Sequence, residues 1–252
     1  MDHQEGRDRF RIADEFPVLL FIMNITTTAC PVVDAQPRTV LKSLRSLVRE
    51  RAPAWTHPVA SFCERGLIRL LRTAIPPRWP KNSEGKVYLN LGCGNVTHPA
   101  FVNVDALVAW HIHYISPVEK LRPFRDNSAD IVYASHCVEH FSHLKVNEVL
   151  AEWRRVLKPG GVLRLGVPDF DLLVALYEAS ARDIEAIQLA LMGGQTYPLN
   201  AHFTAFTRKS LTDRLVAAGF SQVRRWERNT DELTSLPDFT ALPVSLNLEA
   251  VK

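Results

Sequence analysis

Val87-Tyr88-Leu89-Asn90-Leu91-Gly92-Cys93-Gly94-Asn95-Val96-Thr97-His98-Pro99-Ala100-Phe101-Val102-Asn103-Val104-Asp105 reads as an apolar strand, a glycine pair, a turn, and a second short strand ending in an acid. In an open α/β sheet two such strand ends lie side by side at the carboxyl edge, where ligands bind in the crevice. The bare backbone of Gly92 and Gly94 then faces the carboxylate of Asp105, with Cys93 in the same turn. Glycine has no Cβ to bar a ligand, and a carboxylate can accept bonds from both hydroxyls of a ribose. The pattern predicts a nucleoside site.

Which nucleoside is decided by what the stretch lacks. A dinucleotide fold uses three glycines in G-x-G-x-x-G and a full helix after the turn, so that pyrophosphate sits on the helix N-terminus. Here Asn95, Val96 and Thr97 follow the glycine pair, and Pro99 comes close behind. Only ten residues separate Gly94 from Asp105, strand included, which leaves no room for a helix of ordinary length. A ligand without phosphate is expected.

Residues 89–95 followed by 102–105 resemble the opening of a class I S-adenosylmethionine-dependent methyltransferase. They are more narrowly similar to the compact methyltransferases linked to glycan and lipopolysaccharide synthesis, in which the first helix is likewise cut short. Later segments extend the resemblance over about residues 85–252, in the family's order. Pro123-Phe124, the turn Asp126-Asn127-Ser128, and Asp130 leading into the apolar run 131–134 match its loop and fourth strand. Arg155-Val156-Leu157-Lys158-Pro159-Gly160-Gly161 before the strand 162–167 matches its helix-to-strand reversal. The resemblance implies a Rossmann-like α/β sandwich. Its sheet has seven mostly parallel strands and an antiparallel last strand, residues 245–251, with helices on both faces.

It also implies the site. S-adenosylmethionine is expected on Gly92, Cys93, Gly94 and Asp105, with Ser135 and His136 at the end of the fourth strand nearby. The family commonly has an acid just before Pro-Phe that bonds the adenine amino group. Here that place holds residues 116–122, whose acid is Glu119; Glu119 or backbone amides alone are the candidates. Strand four ends in Ser135-His136-Cys137-Val138-Glu139-His140. A hydroxyl acceptor must lose a proton, and histidine titrates near neutrality, so His140 is a candidate base. His202, in the lid-like insert Asn200-Ala201-His202-Phe203 of related proteins, is a second. Asp169 either faces the acceptor or caps the next helix, expected over residues 172–191.

Composition sets outer bounds. An apolar fraction of 46% is ordinary for a folded domain, and a net charge of +3 is too small to imply nucleic acid. Four cysteines without C-x-x-C spacing suggest neither zinc nor a disulfide framework, so no metal is expected and a reducing cytoplasm fits. The apolar run 16–25 is shorter than the ~20 residues that span a bilayer. Met23 is a second candidate start, which intact-mass analysis of the native gene product decides: a chain beginning at Met1 removes it.

Three segments are expected. Residues 1–37 are a poorly structured head. Residues 38–80 carry basic amphipathic helices over 38–51 and 59–73, the second presenting Leu67, Leu70 and Leu71 inward, and then a proline linker over 76–80. Residues 81–252 form the methyltransferase domain. The basic helices either cover the domain's edge or lie peripherally on an anionic inner membrane face. The expected activity is methyl transfer to a small-molecule or glycan acceptor at oxygen. The alternatives are a non-catalytic S-adenosylmethionine-binding scaffold and, further off, an NAD(P)-dependent oxidoreductase.

Overall fold

The structure, a computed structural model, describes residues 66–71, 80, 85–228 and 236–252. The expectations for residues 1–37, for the helix over 38–51 and for most of the linker lie outside the described residues. Residues 66–71 are helical as expected, but the inward face differs: Ile68 is buried while Leu67 and Leu70 are exposed.

Seven strands form one sheet in the order β3-β2-β1-β4-β5-β7-β6. They are β1 (Tyr88–Leu91), β2 (Phe101–Asp105), β3 (Tyr114–Ile115), β4 (Ala129–Ser135), β5 (Leu157–Pro168), β6 (Ser221–Arg225) and β7 (Ser245–Val251). The strands from β3 across to β5 pair in parallel, and β7 runs antiparallel to both β5 and β6. This is the expected sheet, including its antiparallel last strand. Chain order reverses at β1, so β2 and β4 flank it and their carboxyl ends open a crevice there.

The side chains alternate between two faces. One register row reads Val102, Leu89, Val132, Leu163 and Ala250, all buried and apolar. Against this face packs α1 (Val146–Val156), whose Val146, Val149, Leu150, Trp153 and Val156 recur at helical spacing and are all buried. Leu211 and Leu215 of α4 (Arg208–Ala217) complete the layer, their helix started by a capping box between Thr207 and Ser210.

The neighbouring row on the other face is polar: Asn103, Asn90, Tyr133, Arg164, Glu249 and Arg224. No helix intervenes between β1 and β2, so loops and side chains satisfy the strands on that side. The Tyr133 hydroxyl donates to Asp238 Oδ2 at 2.6 Å, and Arg228 donates to Asp238 Oδ1 at 3.3 Å and to Thr240 Oγ1 at 2.7 Å. These bonds hold the β6–β7 connection over the aromatic cluster of Tyr88, Phe101, Tyr133 and Trp226.

The helix expected over 172–191 is two: α2 (Phe170–Ala179) and α3 (Glu185–Met192). The break falls at Ala181 and Arg182, both left-handed with φ of 59° and 65°, without the glycine or proline that would announce it. Ser180 Oγ donates to the Tyr177 carbonyl, ending α2, and Asp183 accepts from the Glu185 amide, opening α3. Asp169 caps α2 through the Asp171 amide at 3.2 Å, which decides its role between the two readings. The strand expected over 162–167 begins earlier, at Leu157, because Ala129 also pairs with Leu157 before the register shifts.

Glu249 makes the polar row measurable. Burial alone would raise its carboxyl, but bonds from Arg164 at 2.7 Å and Arg224 at 2.6 Å outweigh it and hold the group below its ordinary 4.5. The folded state therefore binds this proton less readily than the unfolded chain. The stabilisation is present above about 4.5 and fades as pH falls through the lower folded value. Melting temperatures followed from pH 7 down to 3 should fall more steeply for the parent than for Glu249→Gln. Parallel curves would remove this carboxylate from the acid sensitivity.

Candidate active site

The glycine turn joins β1 to β2 as the sequence suggests. Gly92 and Gly94 are left-handed, at φ of 62° and 52°, and a Cβ on Gly92 would stand 2.7 Å from the Cys137 sulfur. A Cβ on Gly94 would meet nothing within 4 Å, so its bare backbone looks into open space. Asp105 closes the turn: Oδ2 accepts from the Gly94 amide at 2.9 Å and Oδ1 from the Leu107 amide at 2.8 Å. A carboxylate has about four acceptor positions, so Asp105 keeps capacity for a ligand while holding the loop in place. That second duty was missed in the sequence reading. So was His111, whose Nε2–H donates to the Gly94 carbonyl at 2.7 Å.

Beneath the turn, Asn103 Nδ2 donates to Thr97 Oγ1 and to the His111 carbonyl, each at 3.1 Å, and Asn90 Nδ2 donates to Asn103 Oδ1 at 3.3 Å. This buried amide pair does the work that a helix after β1 would otherwise do, tying the short loop to the sheet. Cys93 and Cys137 are buried thiols pushed well up, by burial first and then by neighbouring acids. They stay protonated and pack; neither is poised as a nucleophile. Glu119 sits half-buried in the turn after β3, close enough for its charge to be felt at Cys137.

The end of β4 carries the ionisable cluster. His136 is itself left-handed, at φ of 47°, and a 3-10 turn over Val138–His140 follows. Ser245 Oγ donates its proton to the Phe239 carbonyl at 2.7 Å, so it can only accept from His136 Nε2, also 2.7 Å away. The other nitrogen of His136, Nδ1, lies 3.2 Å from Glu139 Oε1. That approach is an ion pair by distance, but its angle falls outside a hydrogen bond, and neither Glu139 oxygen has a hydrogen-bond partner. Both ring nitrogens of His136 thus face protein groups. Burial would raise the Glu139 carboxyl, yet the close approach of His136, with His140 and His202 beside it, outweighs that and lowers it.

The two histidines singled out in the sequence meet. Their rings stand edge to face with centroids 4.8 Å apart, although 62 positions separate them in the chain. His140 Nδ1 lies 3.0 Å from the Ala201 carbonyl and His202 Nδ1 lies 3.0 Å from the Ala190 carbonyl. A carbonyl can only accept, so each Nδ1 carries the proton and each Nε2 is left as a lone pair in the neutral ring. Ala190 is in the last turn of α3, where carbonyls lack helical partners, and the His202 amide satisfies Met192 there too. Gly193, at φ of 76°, lets the ring settle: a Cβ would stand 2.9 Å from His202 Cδ2. Burial lowers the His202 pKa, favouring the neutral ring.

The insert over residues 193–207 is bound to this cluster from above. The Phe203 and Thr204 amides donate to the Glu139 carbonyl at 2.8 and 3.2 Å. The Tyr197 phenol is pushed up by partial burial and by the charge of Asp105. Ser135 Oγ, between the turn and the histidines, is buried without a partner. A separate hollow of about 340 Å³, lined by Lys86, Tyr88, Tyr114, Phe124 and Arg125, lies at the amino ends of β1 and β2, away from all of these groups.

The groups at the carboxyl edge suit S-adenosylmethionine: open backbone at Gly94, spare acceptor capacity on Asp105, and the orphaned Ser135 hydroxyl. Residues 100–165 match the family model described as a methyltransferase domain. The match falls on β2 through β5 of the sheet, the part that carries Asp105 and the ionisable end of β4. No curated protein matches the chain.

Similar solved structures include a SAM dependent methyltransferase from Archaeoglobus fulgidus, 18% identical, with a TM-score of 0.44, covering 75% of this chain and 94% of that one. Another is the 1,6-didemethyltoxoflavin-N1-methyltransferase of Burkholderia thailandensis with bound 1,6-didemethyltoxoflavin and S-adenosylhomocysteine. It is 16% identical with a TM-score of 0.42, and the match covers 89% of this chain and 93% of that one. A third, phosphoethanolamine N-methyltransferase 2 of Haemonchus contortus, is 14% identical with a TM-score of 0.36, covering 63% and 37%. Among the described residues no helix is long and apolar enough to cross a membrane.

Proposed function

We propose that residues 81–252 transfer a methyl group to a hydroxyl of a small-molecule acceptor, a sugar or glycolipid hydroxyl being the first class to test. The observation that carries this reading is that His140, just after β4, and His202, in the insert, stand ring to ring with each Nδ1 on a backbone carbonyl, which leaves Nε2 as the lone pair of each neutral ring. S-adenosylmethionine supplies a sulfonium-bound methyl group when bound. The chain's own task is to align that methyl with the acceptor, to exclude water and to accept the acceptor's proton. Gly92, Cys93, Gly94 and Asp105 would hold the cofactor's amino acid and ribose, and Ser135 the edge between cofactor and acceptor. Glu119 would stand near the adenine, with His136 orienting Glu139. The exposed Tyr197, Leu199 and Phe203 would give the acceptor an apolar rim. The glycan preference rests on the likeness of residues 89–95 and 102–105 to the compact subfamily.

Following labelled methyl from the cofactor into lipid, polysaccharide, protein, RNA and small-molecule fractions of a cell extract tests the acceptor class. Label confined to protein or RNA overturns the reading. The cofactor site is tested by Asp105→Ala, which should weaken S-adenosylhomocysteine binding by ~1.5 to 3 kcal/mol, the scale of a hydrogen bond to a charged group. Calorimetry checks it, with a melting curve to show that the loosened Gly94 turn has not unfolded the variant. Unchanged affinity would defeat the assignment.

A further inference from the structure

Glu139, His140 and His202 form a group whose features are not explained by proton transfer alone. Each offers one ligand atom, and these atoms lie within 4.8 Å of one another, with His202 Nε2 4.0 Å from Glu139 Oε1. Both imidazoles present Nε2 because a backbone carbonyl binds Nδ1, at Ala201 for His140 and Ala190 for His202. Metal-ligating histidines are held in this way, with the outer N–H fixed by a carbonyl or carboxylate. The Glu139 side chain is 1% exposed, and both oxygens are buried without a hydrogen-bond partner. A buried carboxylate left with unused acceptor positions is costly unless a cation or donor meets it. Its neighbour His136 meets one oxygen at 3.2 Å and is itself anchored on Ser245, so the carboxylate is oriented from behind.

We propose that Glu139, His140 and His202 bind one divalent first-row transition ion. Two imidazoles and a carboxylate suit zinc, manganese, iron or cobalt; magnesium and calcium favour all-oxygen sites. Ligand bonds of about 2.0 to 2.2 Å require the three atoms to draw together by roughly 1 Å, which side-chain rotation supplies. Three protein ligands leave coordination positions open, as catalytic sites do. The inference deepens the proposed function and rests on it for the ion's purpose. With both Nε2 atoms on the ion, the ion would take over their part: an acceptor hydroxyl on an open position would be fixed in place, its pKa lowered by the charge of the ion, and its proton released to solvent. Cysteine spacing does not announce such a site. The ligands are instead an adjacent Glu-His pair and a histidine 62 positions on.

Chelator-treated full-length protein titrated with Co2+ tests the site without needing an acceptor. One Co2+ per chain, with visible ligand-field absorption and displacement by Zn2+, is the expected result. Glu139→Gln, His140→Ala and His202→Ala should each weaken Co2+ binding by about tenfold or more. The exposed His143→Ala should leave it unchanged. The two histidine variants keep the test available if Glu139→Gln does not fold. Absence of saturable binding, or binding indifferent to all three substitutions, overturns the site. S-adenosylhomocysteine calorimetry on the same samples separates the readings. Cofactor binding without Co2+ binding removes only the ion, whereas a parent protein that fails to bind the cofactor removes the methyltransferase site itself.

Discussion

His140→Ala is expected to slow methyl transfer by roughly 10²- to 10⁴-fold, the usual worth of positioned acid–base catalysis, while S-adenosylhomocysteine binds as before. In barrier height that is about 3 to 5 kcal/mol. The two readouts should separate because the groups proposed to hold the cofactor's amino acid and ribose sit on the β1 turn and at the end of β2, whereas His140 follows β4. The ring is half-buried, and its recorded hydrogen bond goes to the Ala201 carbonyl, so its loss should leave the fold standing. His202→Ala should lose turnover on the same scale with a larger loss of stability, since its ring also satisfies a terminal carbonyl of α3. The acceptor fraction that takes up label provides the assay. Parental turnover in a folded His140→Ala protein would take the imidazole pair out of the chemistry, whether it acts as a base or through a bound ion.

Trp153→Ala should produce the largest loss of stability, ~3 to 5 kcal/mol from the cavity alone. Trp153 is fully buried in the middle of the inward stripe of α1, and its Nε1–H donates to the Val118 carbonyl at 2.9 Å. Truncation therefore empties the layer between helix and sheet and also strands a buried acceptor, adding about 1 to 3 kcal/mol. Trp153→Phe keeps most of the volume and isolates the second effect. Val118 adjoins Glu119, so the indole also holds the turn that carries the candidate adenine contact. Urea unfolding of the three proteins checks the order parent, Trp153→Phe, Trp153→Ala. A Trp153→Ala loss below about 1 kcal/mol would contradict this packing.

Several features of the molecule were legible before any coordinates. Gly92, Gly94 and Asp105 declare themselves because a positive backbone angle and a strand-end acid leave marks in a few adjacent residues. The strand over 245–251 was implied by the resemblance, and the chain forms it at Ser245–Val251. The break between α2 and α3 was hidden. It is made by Ser180 and Asp183 bonding locally while Ala181 and Arg182 take left-handed angles, and those residue types are equally at home inside a helix. The stripe containing Leu67 and Leu70 misled in the opposite way: periodicity shows that a helix has an apolar side, while burial of Ile68 depends on what lies against it.

The sequence by itself determined the sheet class, the glycine turn and the absence of room for a phosphate-binding helix, since each follows from local steric rules and spacing. It also marked His140 and His202 as separate candidates. Only the tertiary structure decided that they lie together beside Glu139. Three contacts between distant residues orient them: Ala201 on His140, Ala190 on His202 and Ser245 on His136. Side-chain tautomers and a buried carboxylate without a hydrogen-bond partner are set by neighbours that the sheet order brings together, and no spacing rule along the chain encodes them.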